Sequence, residues 1–438
     1  MVSSAKVACD LPHSAAESEI YKSITPLILF GRLFLLIPCG RSSHSTYKNC
    51  KLRLQLLPVV ACSLVLCLGV FATLFDIRHL LSAMTSMKKS TNSSNSKTGG
   101  GPDPIMIYAR HIYTLLNSLM SLVTLAFFLK NSDNFYKLLK TWTDVHRKFN
   151  LDWNKRLIYV SFASVAFMTI RVILYIVYII DIFYYRLDGE KIAFSPTVVN
   201  MTFLQKYYNA VMQSRQDVIP NYDIFIVIHL FHDAIKIFPM FFVPHLIIFF
   251  SRATAFQLKR LVESATNSCN SETCMIQLDS KDTKFWEDFA AQFRIIHFLL
   301  KATNTFLSPL VFVFAVESVN QICIPLLELL NGRHGGSSPF MFFIWFTSAI
   351  IQFLGTLMNA TKIPTNALKI LDILEKCPEV HYTTQVARLE NRVASGHAIA
   401  FTGLGYFSIT NAFLLNIVGV IFSIEIILLQ SMIQPTGR

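Results

Sequence analysis

Seven apolar runs divide the chain, at residues 54–74, 112–129, 157–183, 224–250, 305–327, 340–358 and 411–429. Each is close to the ~20 residues that a helix needs to cross the hydrocarbon core of a bilayer. The pattern predicts an all-α, polytopic membrane protein with seven transmembrane helices. The third run is longer than a span requires, which implies tilt or projection. The fourth carries Pro239 and Pro244, expected to kink it, and the fifth contains Pro309 and Pro325. An eighth run, 24–38, is short and broken by Pro26 and Arg32, and reads as an interfacial helix leading into the first span. Ahead of the fifth run, Phe289, Phe293, Ile296 and Leu299 recur at helical spacing, so a helix over 285–300 is expected to continue into that span.

Composition agrees with the pattern. Apolar residues make up 53% of the 438 and charged residues 15%, against about 25% charged in a soluble protein. This excludes a disordered chain and an ordinary soluble enzyme. The net charge of +12 matches the Lys and Arg enrichment of cytosolic loops, so no nucleic-acid partner is expected. Basic residues number seven before the first span, seven between spans two and three, seven between four and five, and five between six and seven. The opposite segments hold five, four, one and one. This asymmetry places the N-terminus in the cytosol and the C-terminus outside. The sequons at Asn92 and Asn200 then fall outside, as a glycoprotein requires. This topology is the inverse of a G-protein-coupled receptor.

The expected organisation is a cytosolic segment at 1–53, spans one to four over 54–250, a cytosolic loop with a helix extension at 251–304, spans five to seven over 305–431, and a tail at 432–438. The first 20 residues lack the apolar core of a signal peptide. The Ser/Asn/Gly tract at 90–101 is a solvated linker. The nine Cys contain no Cys-x-x-Cys pair. His229 and His232 have Lys236 beside them, which argues against a metal. No nucleophile elbow, zinc-protease motif or phosphate loop occurs. Neither an enzyme nor a cofactor is expected.

Ionisable residues inside a bilayer are costly and point to function. Arg171 and Asp181 lie in the third run, Asp233 and Lys236 in the fourth, Glu317, Asn320 and Gln321 in the fifth, Trp345 and Gln352 in the sixth, and Glu425 in the last. One reading is an internal ion pair of Asp233 with Lys236 or Arg171. The other is a polar cavity. Carboxylates and amides beside an aromatic ring suit a polyhydroxylated ligand, because acceptors bond its hydroxyls and the ring packs on its C–H face. The candidate ligand residues are Asp233, Glu317, Asn320, Trp345 and Gln352.

The C-terminal 40 residues resemble the end of an insect gustatory receptor, in its sugar-receptor branch. The likeness rests on Phe401-Thr402-Gly403, Tyr406-Phe407-Ser408-Ile409-Thr410, Leu414-Leu415, Gly419, Glu425 and Leu428-Leu429-Gln430. Patches at 24–38, at Trp286, at Ser308-Pro309, at Ile322-Cys323 and at Pro378-Glu379-Val380 are similar to the same branch. The chain departs from the pattern at Ser423-Ile424, where the family has Thr-Tyr, at Ser431 for a closing Phe, at Asn411 for Arg, and at Glu317-Ser318 for paired Asn.

The resemblance implies a ligand-gated, non-selective cation channel in a sensory-neuron plasma membrane. It implies a homotetramer, or a heterotetramer with related receptors, whose last spans line a central pore. The implied ligand site lies in the outer half of each subunit, where Asp233 matches an acidic position. On the last helix Ile427, Gln430 and Ser431 share one stripe, and Glu425 points about 160° away from Ile427. A ring of Ile427 closes a pore by dewetting, and a ring of Gln430 amides coordinates a passing cation. The alternative is that both side chains pack between helices. Three functions stand: a channel gated by a sugar or polyol, the same channel tuned to a bitter or internal nutrient ligand, and a seven-helix transporter or G-protein-coupled receptor.

Overall fold

The structure is a computed structural model. It describes residues 16–33, 39–41, 52–54, 104–149, 155–189, 223–266, 283–330, 338–394 and 399–433, with 60, 63–70, 73–74, 77–78, 81 and 85. Nine α-helices, one 3-10 helix (Glu379–His381) and four short strands have defined limits among the described residues. Helix α1 (Ala16–Leu33) is followed by strands β1 (Cys39–Arg41) and β2 (Leu52–Leu54), which pair antiparallel. Then come α2 (Pro104–Phe149), α3 (Arg156–Gly189), α4 (Asp223–Thr266), α5 (Thr283–Leu330) and α6 (Pro339–Ala360). The chain closes with α7 (Lys362–Leu374), α8 (Thr384–Ala394), the hairpin β3 (Thr402–Gly403) to β4 (Phe407–Ser408), and α9 (Asn411–Ile433). The two hairpins are the departure from an all-helical chain.

Five stretches are long and apolar enough to cross a membrane among the described residues: Ile112–Phe149, Arg156–Tyr178, Met240–Thr266, Thr283–Leu327 and Pro339–Leu374. They contain the expected second, fifth and sixth spans and overlap the third, to Tyr178, and the fourth, from Met240. Helix α9 covers the seventh. Of the first expected span, 54–74, residues 60, 63–70 and 73–74 are helical while Leu54 belongs to strand β2, and the remainder lies outside the described residues.

The helices outgrow the bilayer. At 1.5 Å per residue, the 46 residues of α2 and 48 of α5 reach about 70 Å, against ~30 Å of hydrocarbon. Helix α2 bends at Asn131 (φ −107°, ψ 17°), just past its apolar run. There the Asn131 amide donates to the Phe127 carbonyl at 3.1 Å, a local alternative to the helix ladder. The segment expected as a helix over 285–300 and the fifth span form one helix, α5. Helix α4 runs unbroken from Asp223 to Thr266 through Pro239 and Pro244.

Helix α4 is the centre of the bundle, with 83% of its apolar window buried and contacts to α2, α3, α5, α6 and α7. Helix α3 is peripheral, with 22% buried, and turns Tyr159, Phe162, Ile170, Ile173 and Ile176 outward. An apolar outer face is what lipid tails accept. Where the apolar runs meet the extensions, Phe128, Phe135, Phe242 and Phe306 form an aromatic core. Trp142 on α2 donates its indole N–H to Thr303 Oγ1 on α5 at 2.9 Å, so this buried ring carries its polar atom to a partner. The segment expected as an interfacial helix over 24–38 begins at Ala16 and ends at Leu33. The stripe Ile20, Ile24 and Leu27 starts upstream of the apolar run and is buried, and α1 packs on α2 and α3.

Candidate functional site

Where α3, α4, α5 and α6 meet, the polar residues of the apolar runs converge on Arg171. The residue is 1% exposed. Its guanidinium lies between two rings, 4.6 Å from the centroid of Phe241 on α4 and 4.6 Å from that of Trp345 on α6. Nη1 donates to Gln352 Oε1 at 2.5 Å and to the Ser348 carbonyl at 3.1 Å. Nε and Nη2 have no hydrogen-bond partner among the described residues. Gln352 turns its amide N–H to the Met240 carbonyl on α4 at 3.1 Å. One side chain of α6 thus ties α3 to α4. Trp345 also stacks on Tyr178, with ring centroids 5.9 Å apart and an angle of 14°.

A small cavity adjoins this cluster. Glu317, Ser318 and Gln321 of α5, Gln352 and Phe353 of α6, and Met240 of α4 line it. Its volume is about 10 Å³, the room of one water molecule. The Glu317 side chain is buried. A wider groove of about 630 Å³ lies elsewhere, among the extensions of α2, α4 and α5, where Phe149, Gln257, Arg260 and Asp288 border it.

The expected ligand residues therefore separate. Glu317 and Gln352 share the cavity, and Trp345 joins them through Arg171. Asn320 turns to α2, donating to Asn117 Oδ1 at 2.9 Å. The side chain of Asp233 lies outside the described residues, although its backbone is part of α4. Arg171, absent from the expected set, is the organising group. Its signal in the sequence is a single cation in the third apolar run.

Helix α9 packs on α5 through Ile417, Ile421 and the 3%-exposed Glu425, spaced four residues apart. The Glu425 carboxylate oxygens have no hydrogen-bond partner among the described residues. Among the described side chains of α9, Leu415, Val420, Phe422 and Ile426 are exposed. Ile427 is 63% exposed and Gln430 is exposed. The side chain of Ser431 lies outside the described residues. The hairpin β3–β4 precedes α9 and sits on α5.

The profile of the trehalose receptor family matches residues 104–436. The chain belongs to this family of insect gustatory receptors. The family is one of membrane receptors and not of enzymes. The match contains the Arg171 cluster, the cavity, the hairpin and α9, and leaves α1 outside. Gustatory receptor for sugar taste 64f of Drosophila melanogaster is 23% identical over 146 residues, which are 33% of this receptor and 31% of that one. The receptor thus matches about a third of that curated relative's length. Among solved structures, the insect olfactory receptor OR5 from Machilis hrabei in complex with eugenol superposes with a TM-score of 0.52 at 15% identity. The superposition covers 95% of this chain and 100% of that one. The receptor shares its fold.

Proposed function

We propose that the receptor is a taste receptor acting as a ligand-gated, non-selective cation channel. It has seven spans, a cytosolic N-terminus and an external C-terminus. It works as a homotetramer, or as a heterotetramer with related receptors, in the plasma membrane of a sensory neuron. Its ligand is a sugar or polyol, with trehalose the first candidate from the family's description.

The observation that carries this reading is the buried polar group set at bilayer depth. Glu317 supplies an acceptor, Arg171 a donor, Gln352 both, and Trp345 a ring face. A sugar offers hydroxyls that donate and accept and a C–H face that packs on a ring. Asp233 and Asn320 complete the proposed site. The cavity of about 10 Å³ admits one water and no sugar ring, so ligand entry must part α5 from α6 between Glu317 and Gln352. Binding then favours the parted form, because only differential affinity shifts a conformational equilibrium. On the pore side, the uncovered face of α9 carries Ile427 and Gln430, and the proposed stripe continues to Ser431. Four copies of that face enclose a constriction that closes by dewetting at Ile427 and coordinates cations at Gln430.

The test is whole-cell recording from cells expressing the full chain, with trehalose and a panel of sugars and polyols. Gln430→Ala and Glu317→Gln run alongside. A sugar-evoked cation current is expected, with altered permeation in Gln430→Ala and a weakened response in Glu317→Gln. Surface protein that stays silent to every sugar and polyol overturns the ligand assignment and favours a bitter or internal nutrient ligand.

A further inference from the structure

We propose that the hairpin β3–β4 is the coupler that carries movement of α5 into α9, with Asn304 and Ser308 as its positioning residues. The proposal rests on the channel reading, in which α5 borders the ligand and α9 the pore.

The hairpin is strained at its tip. Leu404 has φ 51° and Gly405 φ 81°. Leu404 is the sole non-glycine residue with positive φ among the described residues. A branched side chain there is costly, and such strain persists only where the surroundings over-determine it. Here α5 supplies the constraint, since the Leu404 N–H donates to Ser308 Oγ at 2.8 Å.

A second attachment lies one turn along α5. Asn304 Oδ1 accepts from the Thr402 N–H at 2.8 Å, and Asn304 Nδ2 donates to Thr402 Oγ1 at 3.0 Å. The Phe312 ring sits 6.0 Å from that of Tyr406. Residues 304, 308 and 312 form one stripe of α5. Two hairpin N–H groups thus end on α5 side chains, which fixes the path of the backbone.

The hairpin is equally tied to α9. The Ile409 N–H donates to the Phe401 carbonyl at 2.8 Å. Thr410 caps α9, its hydroxyl accepting from the Phe413 N–H at 3.2 Å. The rings of Phe407 and Phe413 stack with centroids 4.5 Å apart and planes 6° apart. Hairpin and first turn of α9 therefore move as one body.

The same α5 carries Glu317 nine residues beyond Ser308, about 13.5 Å along the axis. Pro309 lies between them and removes the N–H that would bond the Thr305 carbonyl, so α5 bends more readily beside the hairpin seat. A bend there, driven from Glu317, shifts the hairpin and with it the start of α9. The hairpin stays bonded to α5 throughout.

The test compares the full wild-type receptor with Asn304→Leu, Thr402→Val and Asn304→Asp. Asp keeps the acceptor for the Thr402 N–H. Trehalose-evoked current is scaled to surface protein. Asn304→Leu is expected to lower maximal current by about tenfold or more, within the range of allosteric coupling. Its half-maximal trehalose concentration should move far less. Thr402→Val should give a smaller loss, and Asn304→Asp should recover current. A cysteine pair, Asn304→Cys with Thr402→Cys, is expected to keep its current after oxidation. A current blocked by oxidation and restored by reduction overturns the proposal, because the contact would then have to break on opening. Unchanged maximal current in Asn304→Leu also overturns it. Amide exchange on the purified receptor gives an arm without ligand. Asn304→Leu should speed exchange at Leu404 and through 411–418, and unchanged exchange there overturns the proposal. If wild type ignores trehalose, the ligand reading fails and the exchange arm still decides the coupler.

Discussion

Arg171 donates from Nη1 to Gln352 Oε1 at 2.5 Å, joining α3 to α6 inside the bundle. The bond places a cation where hydrocarbon would otherwise be cheapest, and charges at bilayer depth persist for function rather than stability. Gln352→Leu removes the acceptor from this buried guanidinium and the donor from the Met240 carbonyl. The expected cost is about 2–3 kcal/mol, read as a lower Tm of the receptor in detergent. Arg171→Met removes the charge and leaves an apolar chain between the rings of Phe241 and Trp345, which should be close to neutral for stability. Equal losses in both variants would show that the guanidinium itself holds the fold.

Gly403 sits under the ring of Phe407. A Cβ built at this position lies 2.2 Å from Phe407 Cζ. Gly403→Ala must therefore push the ring off Phe413. The expected destabilisation is about 1–3 kcal/mol, the range for overpacking. The double variant Gly403→Ala/Phe407→Leu should recover part of it, a coupling that a thermal-melt cycle measures. Simple addition of the two losses would place the clash elsewhere.

Gly405 has open space around its Cα, so its role is conformational. Its φ is 81°, and nothing lies within 4 Å of an added Cβ. Gly405→Ala should cost about 1–2 kcal/mol from the left-handed backbone alone. Gly419, with the same open surroundings and no positive φ, is the control. In the helix interior Gly419→Ala should stabilise by up to about 1 kcal/mol. Opposite signs in the two melts are the expected outcome.

Past the end of α7, burial pushes the Cys377 thiol up to about 11, with the Glu390 carboxylate adding to the shift. The same carboxylate accepts from the Tyr382 hydroxyl and holds it above its usual range. A folded pKa raised above the unfolded value means stability that is present below the unfolded thiol's range near 9. That stability is lost as pH rises through about 11. Maleimide labelling of Cys377, followed by peptide mass, should be slow at pH 8 and accelerate toward pH 11. Glu390→Gln should move the inflection down. An inflection near the ordinary thiol value in the wild-type receptor would contradict this account.

Apolar run length is a local property, and it made the helical class and the long apolar helices α2 to α6 legible. It also marked the costly residues Arg171, Glu317 and Gln352. The likeness of the last 40 residues pointed to the receptor family before any contact was known. The meeting of faces was not legible in the same way. Asn320 and Glu317 are three residues apart on α5, yet one faces Asn117 on α2 and the other the cavity beside Gln352. That choice depends on the phase of α5 against its neighbours, a non-local quantity that periodicity within one helix does not contain.

The hairpin divides the two kinds of information most clearly. From the residues alone, Thr402, Gly403 and Phe407 were motif positions without a task. Their task depends on Asn304 and Ser308, about a hundred residues earlier, and bonds between groups so distant in sequence form only once α5 and the start of α9 lie side by side. The sequence by itself determined which segments leave water and which polar groups go with them, because transfer free energy depends on residue type. Only the tertiary structure decided that Arg171 lies between Phe241 and Trp345 and that α5 holds the start of α9. Those contacts are set by the packing of whole helices, and that packing fixes the partner of each buried donor.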